Sequence, residues 1–317
     1  MMAPPNPRIL PYGKRTIDAA AALIRAGEIV AVPTETVYGL AADATDARAV
    51  ARIFAAKRRP SFNPLIVHVA TLADAEAIAE LDADARSLAI AFWPGPLTLV
   101  LPLRPDAGIA ALVTAGLDTI ALRVPSHRAM QDLIAASGKP LAAPSANASG
   151  GISPTRATHV AASLGDVVSL IVDDGPAATG LESTIVRGRT ILRPGPITAA
   201  MIARGGVLTA NRSAARPEKE AHTIVAPGQL ASHYAPRKPI RLDVTQAFDD
   251  EWLIGFGAVT GDVTLSASGD LVEAAARLFD LLHQADANDR TRIAVAPIPL
   301  DGIGAAIDDR LRRAAHR

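Results

Sequence analysis

Apolar positions change period repeatedly along this chain, and each change marks an expected element. Ile17, Leu23 and Ile24 recur at helical spacing up to Ala26, with Thr16 in the N-cap position and Gly27 in the stop position. The β-branched run Ile29 to Val32 predicts a short strand leading into the polar turn Pro33-Thr34-Glu35-Thr36. Asp46 caps a second helix, with Val50, Ile53 and Phe54 on one face. Pro60 disfavours helical geometry at Arg59, so Lys57, Arg58 and Arg59 lie on the last turn and its exit. Cations there complement the negative end of the helix dipole. Leu65 to Val69 predicts a strand that turns His68 away from Leu65, Val67 and Val69.

The turn Phe92 to Pro96 feeds an apolar strand from Leu97 to Leu103. In the strand expected from Leu117 to Val124, Ile120, Leu122 and Val124 share one face, while Thr119, Ala121 and Arg123 share the other. Ser183–Arg187 and Thr190–Arg193, joined at Gly188-Arg189, read as an antiparallel pair, which makes the sheet mixed. Helical and extended patterns alternate through Ile197 to Ala203, the mark of an α/β fold. Periodicity then stops, and residues 207 to 239 read as a charged, Pro- and Gly-containing linker. Beyond it come strands at Ile240–Leu242, Trp252–Phe256 and Ile293–Pro297, with helices at Leu271–His283 and Ile303–Ala314. The expected division is a catalytic domain over 1–206, a linker over 207–239 and a small α/β domain over 240–317.

Composition narrows the chemistry. Hydrophobic residues make up 49% of the 317 residues and aromatics only 3%, so the core rests on Ala, Val, Leu and Ile. The net charge of +0 argues against a global electrostatic grip on nucleic acid. With no cysteine, disulfides, thiolate zinc sites and a Cys nucleophile are excluded. The seven His residues lack metal-ligand spacing, so no protein metal site is expected. A Pro-rich N-terminus and the lack of a long apolar run point to a cytoplasmic chain.

The candidate chemistry is that of a polyphosphate site without a P-loop, since G-x-x-x-x-G-K-[ST] is absent. Taken alone, Lys57-Arg58-Arg59 reads as a solvated helix end. Asn63-Pro64 makes a structured loop directly after it, and the small-residue loop Ser145 to Ser153 allows backbone N–H groups to close on an anion. Arg123 shares a strand face with Thr119, which favours a site over an ordinary surface arginine. Gly255-x-Gly257-x-x-x-Gly261 has the wrong spacing for a dinucleotide fingerprint.

Read in order, the motifs resemble the threonylcarbamoyl-AMP synthases, whose catalytic domain is of the YrdC type. The matching stretches are Pro33 to Leu40, Lys57 and Arg59, Asn63 to His68, Trp93 to Thr98, Arg123-Val124-Pro125, Ser145 and Asn147, Ser183-Thr184-Ile185, and Leu192 to Gly195. Pro227-Gly228-Gln229-Leu230-Ala231-Ser232-His233-Tyr234-Ala235-Pro236 marks the long, two-domain form. The resemblance implies a twisted mixed sheet with helices packed on it, followed by a small C-terminal Rossmann-like α/β domain. It also implies an enzyme that joins L-threonine, bicarbonate or CO2, and ATP into threonylcarbamoyl-AMP and pyrophosphate.

By the same resemblance, Lys57 and Arg59 neutralise the triphosphate and leaving group. Arg59, Asn63, Thr119, Ser145, Asn147, Ser153, Arg193 and Tyr234 fall to ATP; Thr36, His68, Arg123, Ala143 and Ser183 form the threonine pocket. Mg2+ is expected on the ATP phosphates, and the product is passed to a tRNA-modifying transferase complex. Two rival readings remain at this point. An RNA-binding module would use the concave basic surface that such domains present, but stacking aromatics are scarce, which leaves weak RNA binding as a secondary property. A carbamoyl-transfer domain would sit in a larger chain with Cys motifs. Threonine-dependent pyrophosphate release separates the synthase from both.

Overall fold

A computed structural model describes residues 8–204, 226–229 and 232–316. Residues 207–225, 230 and 231 of the expected linker therefore lie outside the described residues. The larger part runs β1 (Arg8–Pro11), α1 (Lys14–Arg25), β2 (Val30–Val32), β3 (Gly39–Asp43), α2 (Ala47–Lys57) and β4 (Ile66–His68). It continues with α3 (Leu72–Ile78), α4 (Ala83–Phe92), β5 (Leu97–Pro102), α5 (Ala111–Thr114), β6 (Thr119–Arg123), α6 (Arg128–Ser137) and β7 (Leu141–Ala142). Then come α7 (Ala157–Leu164), β8 (Leu170–Asp173), β9 (Thr184–Arg187), β10 (Thr190–Arg193) and α8 (Ala199–Arg204).

These strands form a ten-stranded sheet in the order β1-β8-β2-β3-β7-β4-β6-β5-β9-β10. It is mixed: β4 runs parallel to β6, while β5 is antiparallel to β6, and β9 to β10. Its core is aliphatic, as the composition requires. Leu40, Ile53, Leu65, Val67, Leu97, Ile120 and Leu122 are packed on one side of the sheet. Ile24, Val30, Met130 and Leu133 form a second cluster where α1 and α6 cover the sheet.

The smaller part holds β11 (Ile240–Arg241), β12 (Glu251–Gly255), β13 (Val263–Thr264), α9 (Leu271–Ala287), β14 (Arg292–Val295) and α10 (Gly304–Ala315). Its four strands, in the order β11-β14-β12-β13, pair in parallel throughout. Phe279, Leu282, Ile293 and Leu311 fill its core, and Val37, Ile152 and Leu181 of the larger part join the same cluster. The two parts thus share an apolar seam. No helix among the described residues is long and apolar enough to cross a membrane.

Three local expectations need correction. Gly13, not Thr16, holds the N-cap position of α1, because the helix starts three residues earlier and the Thr16 hydroxyl donates instead to the Pro11 carbonyl at 2.8 Å. The Pro-rich N-terminus contains an edge strand, β1, paired with β8. A two-residue strand not among those expected, β13, follows Gly261 and pairs with β12. Asp46 does cap α2, accepting from the Arg48 N–H. The helix ends at Lys57, with Arg58 left-handed at φ 51°.

Candidate active site

The ends of several strands converge on one pocket. His68 ends β4 and Arg123 ends β6, and the parallel register places the two residues side by side. Thr34 and Thr36 lie in the turn after β2, Ala143 follows β7, Ser183 precedes β9 and Arg193 ends β10. Of the residues expected from sequence, Thr36, His68, Arg123, Ala143, Ser145, Ser183, Arg193 and Tyr234 line this pocket. Its free volume is about 50 Å³, room for a few water molecules.

Arg123 is buried and held from three sides. Its Nε donates to the Gly95 carbonyl at 3.1 Å, Nη1 donates to Thr36 Oγ1 at 2.9 Å, and Nη2 lies 2.6 Å from Glu35 Oε1. The remaining N–H groups of the guanidinium keep a planar fork available to an anion. Burial raises the Glu35 pKa, but Arg123 more than offsets it and the carboxyl sits below its ordinary value. Thr34 Oγ1 donates to the Val37 carbonyl at 2.6 Å and accepts from the Thr36 and Val37 N–H groups, which fixes the turn carrying Glu35 and Thr36. His68 is buried beside Arg123, and burial with that positive neighbour pushes its pKa down to about 3. The ring is therefore neutral, and its Nδ1 has no partner among the described residues.

The basic cluster does not reach the pocket as a row of free cations. Lys57 Nζ is buried under the Ser145 loop, donating to the carbonyls of Ser145 at 2.6 Å and Asn147 at 2.5 Å. Burial and the neighbouring Arg59 push its pKa well below the ordinary lysine value. Arg59 Nε donates to the Asn63 carbonyl at 3.0 Å, and Nη2 to Asn63 Oδ1 and the Pro64 carbonyl, each at 2.7 Å. Burial and Arg193 lower its pKa to about 10, so it stays charged at neutral pH. Asn147 Nδ2 donates to the carbonyls of Ala148 and Gly151, tying the small-residue loop to itself. Ser153 Oγ donates to Glu182 Oε1. Lys57, Arg59, Asn63, Asn147 and Ser153 thus pack behind the pocket wall and shape it.

Arg193 is the cation that faces the pocket from β10. Its Nε and Nη2 donate to the Ser183 carbonyl at 3.1 and 2.9 Å, and Nη2 also reaches Ser183 Oγ at 3.1 Å. Thr119 stands apart from these residues. It lies at the opposite end of β6 and lines a separate recess with Leu81, Asp82, Pro102 and Arg187. Between it and the pocket runs an apolar strip, Ile66, Val100, Ala121 and Ile185, against which Ala226 of the linker is packed.

The described linker residues close the pocket from above. Gly228 takes φ +83°, and a Cβ there would meet Arg193 Cδ and Tyr234 Oη at 2.8 Å. Only glycine accepts both that backbone and that approach. Further along, the Ala235 N–H donates to the Gly150 carbonyl at 2.8 Å, docking the linker on the small-residue loop. Tyr234 is buried, with its ring 5.6 Å from that of Phe279 on α9 and its hydroxyl without a partner among the described residues. His233 packs edge-on against it, and burial lowers the His233 pKa to about 3.

Sequence reasoning left Glu35, Glu182 and Arg310 without a role. Glu35 was within reach, because it sits inside the Thr34-Glu35-Thr36 turn. Glu182 directly precedes Ser183, yet a lone acid beside a serine carries no signal. Arg310 lies among Asp308, Asp309, Arg312 and Arg313, a pattern that reads as a solvated helix face.

Two sequence families match this chain. The family described as "Telomere recombination", which groups the Sua5, YciO and YrdC proteins, matches residues 22–195. The family described as "Threonylcarbamoyl-AMP synthase, C-terminal domain" matches residues 197–316. Among curated relatives, the threonylcarbamoyl-AMP synthase of Bacillus subtilis is 40% identical over 324 residues, covering 94% of this chain and 92% of its own. That of Pyrococcus abyssi is 39% identical over 322 residues, covering 94% of each. The crystal structure of P. abyssi Sua5 complexed with L-threonine superposes with a TM-score of 0.86 at 36% identity, covering 96% of each chain.

Proposed function

This chain belongs to the threonylcarbamoyl-AMP synthase family, and from that premise we propose that it joins L-threonine, bicarbonate or CO2, and ATP into threonylcarbamoyl-AMP and pyrophosphate. The observation that carries this reading is the Arg123 fork, buried beside neutral His68 and Thr36 in a pocket whose far wall is Arg193 and Ser183. An amino acid carboxylate suits the fork, and the polar edges of Thr36 and His68 suit a side-chain hydroxyl.

The chemistry then needs two steps. The threonine amine adds to CO2, losing a proton and giving a carbamate. A carbamate oxygen attacks the α-phosphorus of ATP, forming the mixed anhydride as pyrophosphate leaves. Holding the three reactants together supplies much of the rate, and a dry pocket protects both the carbamate and the anhydride. Arg193 and Arg59 provide fixed positive charge toward the phosphates, with Ser145 at the pocket edge. Lys57 and Asn147 act by holding the Ser145 loop, and Asn63 by orienting Arg59. Mg2+ would be held through the ATP phosphates, where it would neutralise part of their charge. Among the described residues no three His, Cys, Asp or Glu side chains cluster closely enough to hold an ion.

The nucleotide extends from Arg193 toward Thr119 along the strip of Ile66, Ala121 and Ile185. That surface is covered by Ala226, so the described linker residues, 226–229 and 232–239, serve as a lid that lifts for ATP and closes with Tyr234 over the pocket. The product is passed, in the cytoplasm, to the transferase complex that modifies tRNA next to the anticodon, with any direct RNA contact weak. Incubation with ATP, L-threonine and bicarbonate should release pyrophosphate only when all three are present and yield threonylcarbamoyl-AMP. ATP breakdown indifferent to threonine refutes the reading.

A further inference from the structure

We infer that Arg310, from the last helix of the C-terminal domain, is a positioning residue of the active site: it neutralises Glu182 in the pocket wall and backs the Tyr234 ring. The inference rests on the synthase reading. Arg310 is fully buried, and its guanidinium is used on every side. Nε donates to Glu182 Oε2 at 2.9 Å, Nη2 to the Pro194 carbonyl at 2.9 Å, and Nη1 to Asp309 Oδ2 at 2.6 Å. Its Cζ lies 5.2 Å from the centre of the Tyr234 ring. One side chain of α10 therefore touches the wall before β9, the turn after β10 and the lid.

Glu182 explains why this matters. It lines the pocket and is buried, and Ser153 donates to its other oxygen. A carboxylate there faces the region where a triphosphate and a carbamate must gather, and unneutralised it would repel both. Burial opposes its charge, yet Arg310 and then Arg193 hold its pKa below the ordinary value. The groups facing Glu182 are Arg310 from α10, Arg193 from β10, Ser153, and His233 and Tyr234 from the linker, while Asp309 pairs with the far side of Arg310. Arg193 is already engaged with Ser183 and the incoming phosphates, which leaves Arg310, shared with Asp309, as the counter-charge in direct contact with Glu182. The C-terminal domain thereby completes the electrostatics of the site as well as covering it.

A simple docking contact would lower stability without reading charge, so the test reads charge. Threonine-dependent pyrophosphate release is measured against ATP concentration for the full chain, Arg310→Gln, Glu182→Gln and the double variant, at neutral and mildly acidic pH. Arg310→Gln should raise KM for ATP by about tenfold or more and leave KM for threonine within about twofold. Its activity relative to the parent should climb as pH falls, because protonating Glu182 removes the exposed charge. The double variant should recover most of the ATP KM and lose that pH dependence. An unchanged ATP KM in Arg310→Gln overturns the inference. So does an equal loss in both Arg310 variants with no pH dependence. If Arg310→Gln does not fold, Arg310→Lys replaces it. It keeps the charge, so its ATP KM should stay within about threefold of the parent with a flat pH ratio, and a larger rise overturns the inference. A parent protein that releases no threonine-dependent pyrophosphate defeats the synthase reading instead.

Discussion

Arg123→Lys tests the amino acid subsite, because it keeps the charge and removes the fork. The guanidinium holds Gly95, Thr36 and Glu35 while presenting further N–H groups to the pocket. A lysine ammonium is a point charge that satisfies Glu35 but cannot pair both oxygens of a carboxylate in one plane. One charge-assisted hydrogen bond to the substrate is lost, worth about 1.5–3 kcal/mol. At about 1.4 kcal/mol per decade, that is a loss of roughly 10- to 150-fold in threonine affinity. Folding should survive, since Glu35 keeps a cation. Arg123→Met, which strands that buried carboxylate, should cost about 3–5 kcal/mol of stability. The assay is pyrophosphate release as a function of threonine at saturating ATP, with calorimetric titration of threonine as a check. Should threonine KM stay within about twofold while ATP KM rises tenfold, Arg123 serves the nucleotide and the subsite assignment is wrong.

Lys57→Met should cost about 2–5 kcal/mol in urea unfolding, because the Ser145 and Asn147 carbonyls both lose their buried hydrogen-bond donor. It should also raise KM for ATP even though Lys57 does not line the pocket; unchanged ATP KM would separate the loop from phosphate binding. Gly228→Ala combines a left-handed backbone with a Cβ 2.8 Å from Arg193 Cδ. It should therefore loosen the lid and lower the ratio of threonylcarbamoyl-AMP to pyrophosphate, and an unchanged ratio would show that the lid does not protect the intermediate. Acid should weaken the fold in two stages. His68 and His233 have folded pKa values lowered to about 3, so the unfolded chain binds more protons below the ordinary histidine value of 6.5. Stability then falls as pH drops through that window, by at most about 1.4 kcal/mol per pH unit for each group. Glu35 and Glu182, with depressed folded values, add a further loss below the ordinary carboxylate value of 4.5. A urea midpoint that is flat from neutral pH down to that value would contradict the histidine part.

The readability of this protein from its sequence follows the range of the interactions involved. Strands announced themselves wherever one face is apolar. The alternation of Ile120 and Leu122 against Thr119, Ala121 and Arg123 located β6 and put Arg123 on the face that forms the pocket. The Asp46 cap and the Pro60 stop bounded α2 within a residue, because caps and prolines act locally. Thr16 misled for the same reason: its hydroxyl turned back to Pro11, a choice that depends on where the preceding strand β1 lies.

Charges were the harder case, since their role depends on what the fold brings near them from far along the chain. Lys57, Arg58 and Arg59 form one basic run, yet they do three different things. Lys57 is buried under a loop 88 residues away, Arg58 takes the left-handed helix exit, and Arg59 locks the Asn63 turn. Arg310 is the extreme instance, with its partner Glu182 lying 128 residues earlier in the chain. Desolvating a guanidinium completely is costly unless its hydrogen bonds are met, so a fully buried arginine reports a built network. Nothing in the Asp- and Arg-rich run around it could have said so, because its charged neighbours Asp308, Asp309, Arg312 and Arg313 each find an opposite charge four residues away on the same helix. Arg312 and Arg313 do pair at that spacing, with Asp308 and Asp309. Arg310 instead points off the helix into the other domain, and that single departure joins the C-terminal module to the wall of the pocket.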